Sequence, residues 1–254
     1  GLRERLGFVR RTLDDRPVIW IHAVSVGELK AARQMIDALF EQHADHQVVI
    51  SSTTPTGRVL ARQLYPHQQT FYYPLDFGPF PWLALRRVRP AVVLLVELEY
   101  WPNFLFWAAR RAVPVAVING RISERSFRGY RRIRGLAPPF GAISRFCMQD
   151  ESYRRRLLDL GVQSDRIFVT GNMKYDAVQL GQVPAMAEIL RNWLTSGDGL
   201  VLVCGSTHAD EERLLLDVVA RVEARTREPL RVVLAPRHPE RAPAVSEVIA
   251  ASGR

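Results

Sequence analysis

The sequence predicts a doubly wound α/β fold, because short apolar runs alternate with amphipathic segments along most of its 254 residues. The runs are rich in β-branched residues and apolar throughout, as strands are when helices cover both faces of a parallel sheet. Right-handed crossovers through the intervening helices then build an open sheet. With 47% hydrophobic and 24% charged residues the composition is globular, so neither a disordered nor a fibrous protein is expected.

Seven strands are predicted in the first part of the chain: Val18–His22, Gln47–Ser51, Thr70–Tyr73, Ala91–Val96, Val113–Ile118, Ala142–Met148 and Arg166–Thr170. Amphipathic helical segments lie between several of them, at Glu28–Gln42, Gly57–Leu64, Phe104–Arg111 and Glu151–Leu160. A second unit starts near Gly199, with strands at Gly199–Cys204 and Leu230–Ala235 around a helix at Asp210–Arg225.

These patterns predict a first domain over residues 1–182, a link over 183–198 and the start of a second domain over 199–254. Two strands are too few for a complete doubly wound domain, so we expect the second domain to be incomplete. The chain begins at Gly1 rather than Met and stops just after a helical pattern, and we expect it to be a fragment.

Charge and cysteine content narrow the class of protein. The formal charge of +9 indicates an anionic partner, which could be nucleic acid, an acidic membrane surface or a phosphorylated substrate. Cys147 and Cys204 lack C-x-x-C spacing, so neither a disulfide scaffold nor a thiolate metal site is expected. So few cysteines are consistent with a protein from a reducing compartment. Apolar runs such as Ala91–Val96 are much shorter than the roughly 20 residues of a membrane-spanning helix.

Ligands of open α/β sheets bind beyond the carboxyl ends of the strands, and polar residues follow most of the predicted strands here. Glu28 begins a helix after a glycine-containing turn. It is either a first-turn acid stabilised by the helix dipole, by roughly 0.3–1 kcal/mol, or a general base. The dipole is expected to lower its pKa.

Glu97 and Glu99 fall on one side of a chain that is expected to be extended. They are either ion-pair partners of an arginine or carboxylates of the site.

Two cationic positions are also candidates. Lys30 and Lys174 are the only lysines beside 33 arginines, from 35 basic residues minus two lysines. Lys174 is therefore either a chance surface residue or a compact ammonium suited to a crowded phosphate or carboxylate. The pair Arg237 and His238 either lies in a solvated turn or holds a nucleotide phosphate.

Familiar nucleotide and metal motifs are absent from the sequence. It contains neither G-x-G-x-x-G nor G-x-x-x-x-G-K-[ST], and neither H-E-x-x-H nor an acidic D-x-D pair. His22, His208 and His238 lack metal-ligand spacing. We therefore expect no metal and no cofactor.

Several of these stretches together resemble the Kdo transferase family, which adds 3-deoxy-D-manno-octulosonic acid (Kdo) to a lipid A precursor. The matching segments occur in the family's order over nearly the whole chain: 20–28 (WIHAVSVGE), 54–57 (TPTG), 97–103 (ELEYWPN), 119–123 (NGRIS), 169–176 (VTGNMKYD) and 236–241 (PRHPER).

The resemblance implies a GT-B glycosyltransferase with two Rossmann-like domains, of which the C-terminal one is truncated in this chain. The N-terminal domain is expected to bind the acceptor and the C-terminal domain CMP-Kdo. By motif, Glu28 matches the proton acceptor, and Glu97 and Lys174 match positions that stabilise the transition state.

Further site residues follow from the same motifs and from their places after the strands. Arg237 and His238 match part of the CMP site, and Ser206 and Thr207 are added to it as donor-binding candidates. The acceptor-binding candidates, all beyond predicted strand ends, are Ser52, Thr53, Thr54, Asn103 and Arg121.

The implied reaction is a metal-independent, inverting transfer of Kdo from CMP-Kdo to lipid IVA in lipopolysaccharide synthesis, with Glu28 as the general base. The implied place is the cytoplasmic face of the bacterial inner membrane, against an anionic surface, with an N-terminal anchor that this chain lacks. The alternative is another GT-B glycosyltransferase that uses a nucleotide sugar and a lipid-linked acceptor. Nucleic acid is not an expected partner, because Glu28 and Glu97 would repel its phosphates.

Overall fold

The computed structural model describes residues 1–12, 15–133, 140–176 and 185–253. Contacts divide the chain into two compact units, Gly1–Gln179 and Leu180–Arg254. This division lies close to the end of the first domain predicted from the sequence, within residues 177–184, which are outside the described ranges.

The first unit contains a seven-stranded, fully parallel sheet, as the apolar runs predict. Its strands are β1 (Val18–His22), β2 (Gln47–Ser52), β3 (Gln69–Tyr72), β4 (Pro90–Val96), β5 (Val115–Gly120), β6 (Arg145–Met148) and β7 (Ile167–Val169), in the spatial order β3-β2-β1-β4-β5-β6-β7. The largest difference from prediction is at β6, which starts three residues after Ala142 because the Ile143 N–H closes a turn onto the Phe140 carbonyl at 3.1 Å.

Seven helices are described in this unit: α1 (Leu2–Arg5), α2 (Val26–Gln42), α3 (Pro55–Leu64), α4 (Phe80–Val88), α5 (Pro102–Arg110), α6 (Glu124–Ile133) and α7 (Glu151–Asp159). Ser25, Thr54 and Asp150 cap α2, α3 and α7 through side-chain oxygens. Helices α1, α4 and α6 are absent from the segments predicted above. The arginine-rich sequence of α6 leaves only Phe127 and Tyr130 packed on the core among its described side chains, too few for a clear apolar stripe.

Apolar side chains cover the sheet on both faces, because successive residues of a strand point to opposite sides. On β1, Trp20 belongs to one buried cluster, while Ile19 and Ile21 belong to the other. All five residues of β1 are buried. This two-sided burial confirms the doubly wound arrangement.

The second unit consists of α8 (Ala185–Thr195), β8 (Leu200–Thr207), α9 (Glu211–Glu223), β9 (Leu230–Pro236) and α10 (Ala242–Ala251). Its two strands are parallel, as predicted. Most of the link predicted over 183–198 is instead helix α8, whose Ile189, Leu190 and Trp193 follow a helical spacing; residues 183 and 184 lie outside the described ranges. Among the helices that the structure describes, none is both long and apolar enough to cross a lipid bilayer.

Truncation of Leu95 to alanine should destabilise the first unit. Leu95 is fully buried in β4 between β1 and β5. Leu95→Ala should lower the free energy of unfolding by about 2–5 kcal/mol, measured by urea denaturation of this unit. The control is Leu2→Ala, since Leu2 is 70% exposed, and it should leave the midpoint nearly unchanged. Equal effects of the two substitutions would contradict the described core.

Candidate active site at the switch point of the sheet

The strand order reverses between β1 and β4, so the loops that leave these two strands diverge and open a crevice at their carboxyl ends. The loop after β1 leads to Glu28 at the start of α2, and the loop after β4 carries Glu97 and Glu99. Glu97 and Glu28 both act electrostatically on Glu99. The structure therefore brings three carboxyl groups to one edge of the sheet.

Glu28 is held by a capping arrangement at the N-terminus of α2. Its Oε2 accepts the Val24 N–H at 2.7 Å, and its Oε1 accepts the Ser25 hydroxyl at 3.0 Å. Ser25 is the N-cap residue, and its Oγ lies 3.5 Å from the Glu28 nitrogen. This serine and glutamate three residues apart resemble a capping box, although Glu28 accepts the N–H of Val24 rather than that of the N-cap Ser25. Glu28 therefore does contribute to the start of α2, as one of its two interpretations predicts.

The acceptor candidates Ser52 and Thr54 contact the backbone of Val24, which also holds Glu28. The Ser52 and Thr54 hydroxyls donate to the Val24 carbonyl at 2.9 and 3.1 Å. Thr54 also accepts the Gly57 N–H at 3.1 Å as the N-cap of α3. A Cβ on Gly57 would lie 2.3 Å from Ser52 Oγ, so this cluster needs glycine. The two hydroxyls thus fix the backbone at Val24, and the N–H of the same residue orients the Glu28 carboxylate.

Burial raises the pKa of Glu28, although its hydrogen bonds from Val24 and Ser25 act in the opposite direction. The negative charge of Glu97 raises it further, while Arg121 lowers it. The expectation that the helix dipole leaves this pKa depressed is wrong, because desolvation of the half-buried carboxyl outweighs the favourable contacts. A raised pKa makes the carboxylate a stronger base.

Glu97 adopts a left-handed backbone conformation, with φ of 61°, so the chain after β4 is not extended as the sequence suggested. Its N–H donates to the Ile118 carbonyl at 2.9 Å, and its carboxylate accepts Arg121 Nε at 2.8 Å. Arg121, predicted as an acceptor-binding residue, is thus the ion-pair partner of Glu97. Its side chain is 57% exposed, and it remains open to a further anion.

Glu99 carries the clearest pKa shift of the three carboxyl groups. Burial, together with the negative charges of Glu28 and Glu97, raises its pKa to about 7. Near neutral pH this group therefore exchanges a proton readily beside Glu28. The sequence pointed to Glu99 only as the neighbour of Glu97; its value as a site residue comes from burial, which the sequence does not specify.

Several buried polar atoms at the same edge have no hydrogen-bond partner among the described residues. They include Nε2 of His22, Oγ1 of Thr53, the hydroxyl of Tyr73 and Nε1 of Trp101. The His22 and Tyr73 rings stack at 3.8 Å, and Tyr73 lies 5.3 Å from Trp101. Such unpaired groups are rare in folded proteins, so this cluster is suited to hydrogen bonding with a ligand or water. Thr53, an acceptor candidate, belongs to this polar edge.

Asn103 was also predicted to bind the acceptor substrate, but its side-chain amide makes a hydrogen bond inside the protein. Asn103 Nδ2 donates to the Asp76 carbonyl at 2.8 Å. The Asp76 carboxylate accepts the N–H groups of Asn103 and Phe104 at 3.1 and 2.6 Å and so caps the start of α5. Asp76 comes from a different loop, and sequence analysis did not identify this long-range cap.

Lys174 lies in a turn after β7 and is exposed. Its backbone N–H donates to Asn172 Oδ1 at 3.0 Å. Its ammonium enters none of the hydrogen bonds or ion pairs found among residues 1–12, 15–133, 140–176 and 185–253. The structure therefore leaves this cation available without bringing it into contact with Glu28 or Glu97.

In the second unit, the predicted donor residues follow two adjacent parallel strands. The Arg237 N–H donates to the Thr207 carbonyl at 2.9 Å, and the rings of His208 and His238 lie 6.5 Å apart. Ser206 has a left-handed φ of 59°, and the side chain of Arg237 is exposed. Thr207, Arg237 and His238 are thus neighbours at the carboxyl edge of β8 and β9.

One described group of side chains could hold a metal ion, and it lies away from these carboxyl groups. Ligand atoms of His43, Asp45 and His46 lie within 4.8 Å of one another, just before the amino end of β2. A cavity of about 860 Å³ opens at the same end of β2 and β3. The histidines that the sequence analysis considered, His22, His208 and His238, are not in this group.

The raised pKa of Glu99 predicts a pH-dependent effect of Glu99→Gln on stability. Between the ordinary glutamate pKa of 4.5 and a pH of about 7, the folded state holds a proton on Glu99 that the unfolded state has lost, so stability falls as pH rises. Glu99→Gln removes the titrating group and with it this pH-dependent loss of stability. The melting temperature of the variant minus that of the parent should therefore increase from pH 5 to pH 8. Exposed Glu151 supplies the control, since Glu151→Gln should give the same difference at both pH values.

Comparison with solved structures supports the fold. The UDP-GlcNAc 2-epimerase of Methanocaldococcus jannaschii matches with a TM-score of 0.55 at 14% identity, over 90% of this chain and 68% of that one. MurG of Acinetobacter baumannii matches with a TM-score of 0.54 at 11% identity, over 94% of this chain and 64% of that one. These likenesses place the chain in the GT-B fold class.

Relatives found by sequence similarity identify the family, whereas the solved structures above identify only the fold. The 3-deoxy-D-manno-octulosonic acid transferase of Haemophilus influenzae is 30% identical over 98% of this chain and 58% of its own length. That of Bordetella pertussis is 30% identical over 92% of this chain and 55% of its own length. A bifunctional glycosyltransferase/methyltransferase of Fusobacterium nucleatum is 29% identical over 98% of this chain and 38% of its own length.

The chain therefore spans little more than half the length of these transferases, and less of the bifunctional protein. The sequence profile of 3-deoxy-D-manno-octulosonic-acid transferases matches residues 1–177, which include the whole seven-stranded sheet. The chain belongs to the Kdo transferase family.

Proposed function

We propose that this chain carries the acceptor-activating part of an enzyme that transfers Kdo from CMP-Kdo to lipid IVA in lipopolysaccharide synthesis. The observation that supports this most is the Glu28 carboxyl group, which is oriented by Val24 and Ser25 and has a raised pKa. A general base needs a fixed position and a pKa closer to neutral, and Glu28 combines the two.

In the proposed reaction, a hydroxyl group of the acceptor sugar attacks the anomeric carbon of Kdo. Glu28 takes the hydroxyl proton as the new carbon–oxygen bond forms. The bond between the anomeric carbon and the CMP phosphate oxygen breaks, and CMP leaves with the electron pair. Because the attack and the departure occur on opposite faces of the carbon, the configuration inverts. No oxidant, reductant or metal ion enters this balance.

Negative charge grows on the CMP phosphate as it departs, and fixed cations lower the energy of that state. In the first unit Lys174 is exposed without a side-chain partner among the described residues, and in the second unit Arg237 is exposed beside Thr207 and His238. Within the first unit we assign this role to Lys174, and within the second unit Arg237 and the Ser206–Thr207 segment are the candidates for binding the nucleotide. Glu97, paired with Arg121, keeps negative charge near Glu28 and so favours proton uptake.

The acceptor is a phosphorylated lipid, so the protein is expected to work against an anionic membrane surface on the cytoplasmic face of the inner membrane. Helix α6 fits this role, because Arg125, Arg128 and Arg132 are exposed on it. Basic side chains on a helix surface attract anionic lipid headgroups.

The direct test is mass spectrometry of the product after the complete gene product is incubated with CMP-Kdo and lipid IVA in the presence of EDTA. We expect lipid IVA to gain the mass of one or more Kdo residues. Transfer from a UDP-sugar instead would favour another GT-B glycosyltransferase, and activity that requires added magnesium would contradict the metal-independent reaction.

Glu28→Gln should lower kcat by roughly 10²–10⁴-fold with little change in KM, because the amide keeps the shape of the side chain but cannot take a proton. The matched control is Asp150→Ala, which removes the side-chain N-cap of α7 at a cost of about 0.5–2 kcal/mol in stability but does not touch Glu28. If Glu28 served the helix alone, the two variants would show similar melting temperatures and near-normal kcat.

Lys174→Arg should be nearly as damaging to kcat as Lys174→Ala, because a planar guanidinium cannot replace a compact ammonium against a crowded phosphate. The chain provides its own control in Lys30, an exposed lysine on α2. Lys30→Arg should retain parental activity in the same steady-state assay. Near-normal turnover of Lys174→Arg would show that Lys174 is an incidental surface residue.

A further inference from the structure

The turn that carries Lys174 is attached to one buried side chain, that of Asn119 at the end of β5. Asn119 is 1% exposed, and its Oδ1 accepts the Met173 N–H at 3.0 Å. Its carbonyl accepts Gln149 Nε2 at 2.9 Å, just beyond β6. One residue thus joins the carboxyl ends of β5 and β6 to the turn after β7.

The backbone at Asn119 explains why asparagine suits this position. Its φ is 51°, in the left-handed region that asparagine adopts more readily than most residues with a Cβ. The strand end has little room to move, since a Cβ on the neighbouring Gly120 would lie 2.5 Å from Met148 Sδ. Asn119 therefore presents a hydrogen-bond acceptor from a rigid point.

Two successive backbone amides of the turn have fixed partners. Asn119 Oδ1 holds the Met173 N–H, and Asn172 Oδ1 holds the Lys174 N–H. The Met173 side chain packs against the buried cluster that contains Ile19 and Ile21. The turn is anchored on its inner side, while the Lys174 side chain stays exposed.

We propose that Asn119 is a positioning residue that sets the location of the Lys174 ammonium for transfer. This inference rests on the proposed function, which assigns Lys174 to the departing phosphate. Asn119 acts through the Met173 amide and contacts no reacting atom. It also begins the Asn119–Arg121 segment, whose Arg121 guanidinium binds Glu97. The end of β5 therefore positions both the Lys174 ammonium and the Arg121 guanidinium that pairs with Glu97.

A double-mutant cycle tests this inference. Asn119→Gly removes the side-chain acceptor but tolerates the left-handed backbone, so it avoids the strain that alanine would introduce. If Asn119 acts through Lys174, then Asn119→Gly should lower kcat in the parent but change it little in Lys174→Ala. Gln149→Ala is the matched control, because it removes the hydrogen bond that the Gln149 side chain donates to the Asn119 backbone carbonyl and leaves the Met173 hydrogen bond. Its kcat should equal that of the parent.

Amide hydrogen exchange tests whether the Asn119 side chain holds the turn that carries Lys174, and it needs no activity assay. The Met173 amide should exchange roughly tenfold faster in Asn119→Gly, since one hydrogen bond is lost, and at the parental rate in Gln149→Ala. Asn119→Asp keeps an acceptor oxygen of the same length, so it should retain the slow exchange of Met173. If Asn119→Gly does not fold, fast Met173 exchange in Asn119→Asp would overturn the inference.

The outcomes separate this inference from the proposed role of Lys174. Parental kcat in Lys174→Ala would overturn both. A damaging Lys174→Ala combined with additive losses in the double mutant would overturn the positioning role alone. Non-additive losses together with faster Met173 exchange in Asn119→Gly would support it.

Discussion

The candidate site depends on the parallel pairing of β1 with both of its neighbours. His22, the last residue of β1, lies opposite Ser51 of β2 and Leu95 of β4, so the three strands end nearly level. Parallel strands send their following loops to the same edge. This pairing brings Glu28, which follows β1, to the edge where Glu97 leaves β4, although they are far apart in sequence. A shift in strand register would separate these groups.

Hydrogen bonds to the backbone of Val24 fix the geometry of the groups at this edge. The Val24 carbonyl accepts the Ser52 and Thr54 hydroxyls, and the Val24 N–H donates to Glu28. The two interpretations of Glu28 are therefore compatible. The capping contacts orient the carboxylate, while burial and the charge of Glu97 raise its pKa. A helix start can thus serve both stability and proton transfer.

Two residues at these strand ends have strained backbone conformations. Glu97 after β4 and Asn119 at the end of β5 both have left-handed φ angles, of 61° and 51°. Such conformations cost free energy in residues with a Cβ and persist where surrounding contacts hold them. Here the Arg121 ion pair and the Met173 hydrogen bond provide those contacts. The strain therefore accompanies the two positions that orient charged groups.

The sequence by itself determined the parallel sheet, the family and the presence of Glu28, Glu97 and Lys174 beyond strand ends. Continuous apolar strands and short motifs are local features, and local features can be read along a chain. Only the tertiary structure decided that Ser52 and Thr54 hold the Val24 peptide, that Asn103 bonds to Asp76, and that α8 occupies most of the predicted link. It also decided that the pKa of Glu28 rises, because desolvation depends on residues distant in sequence.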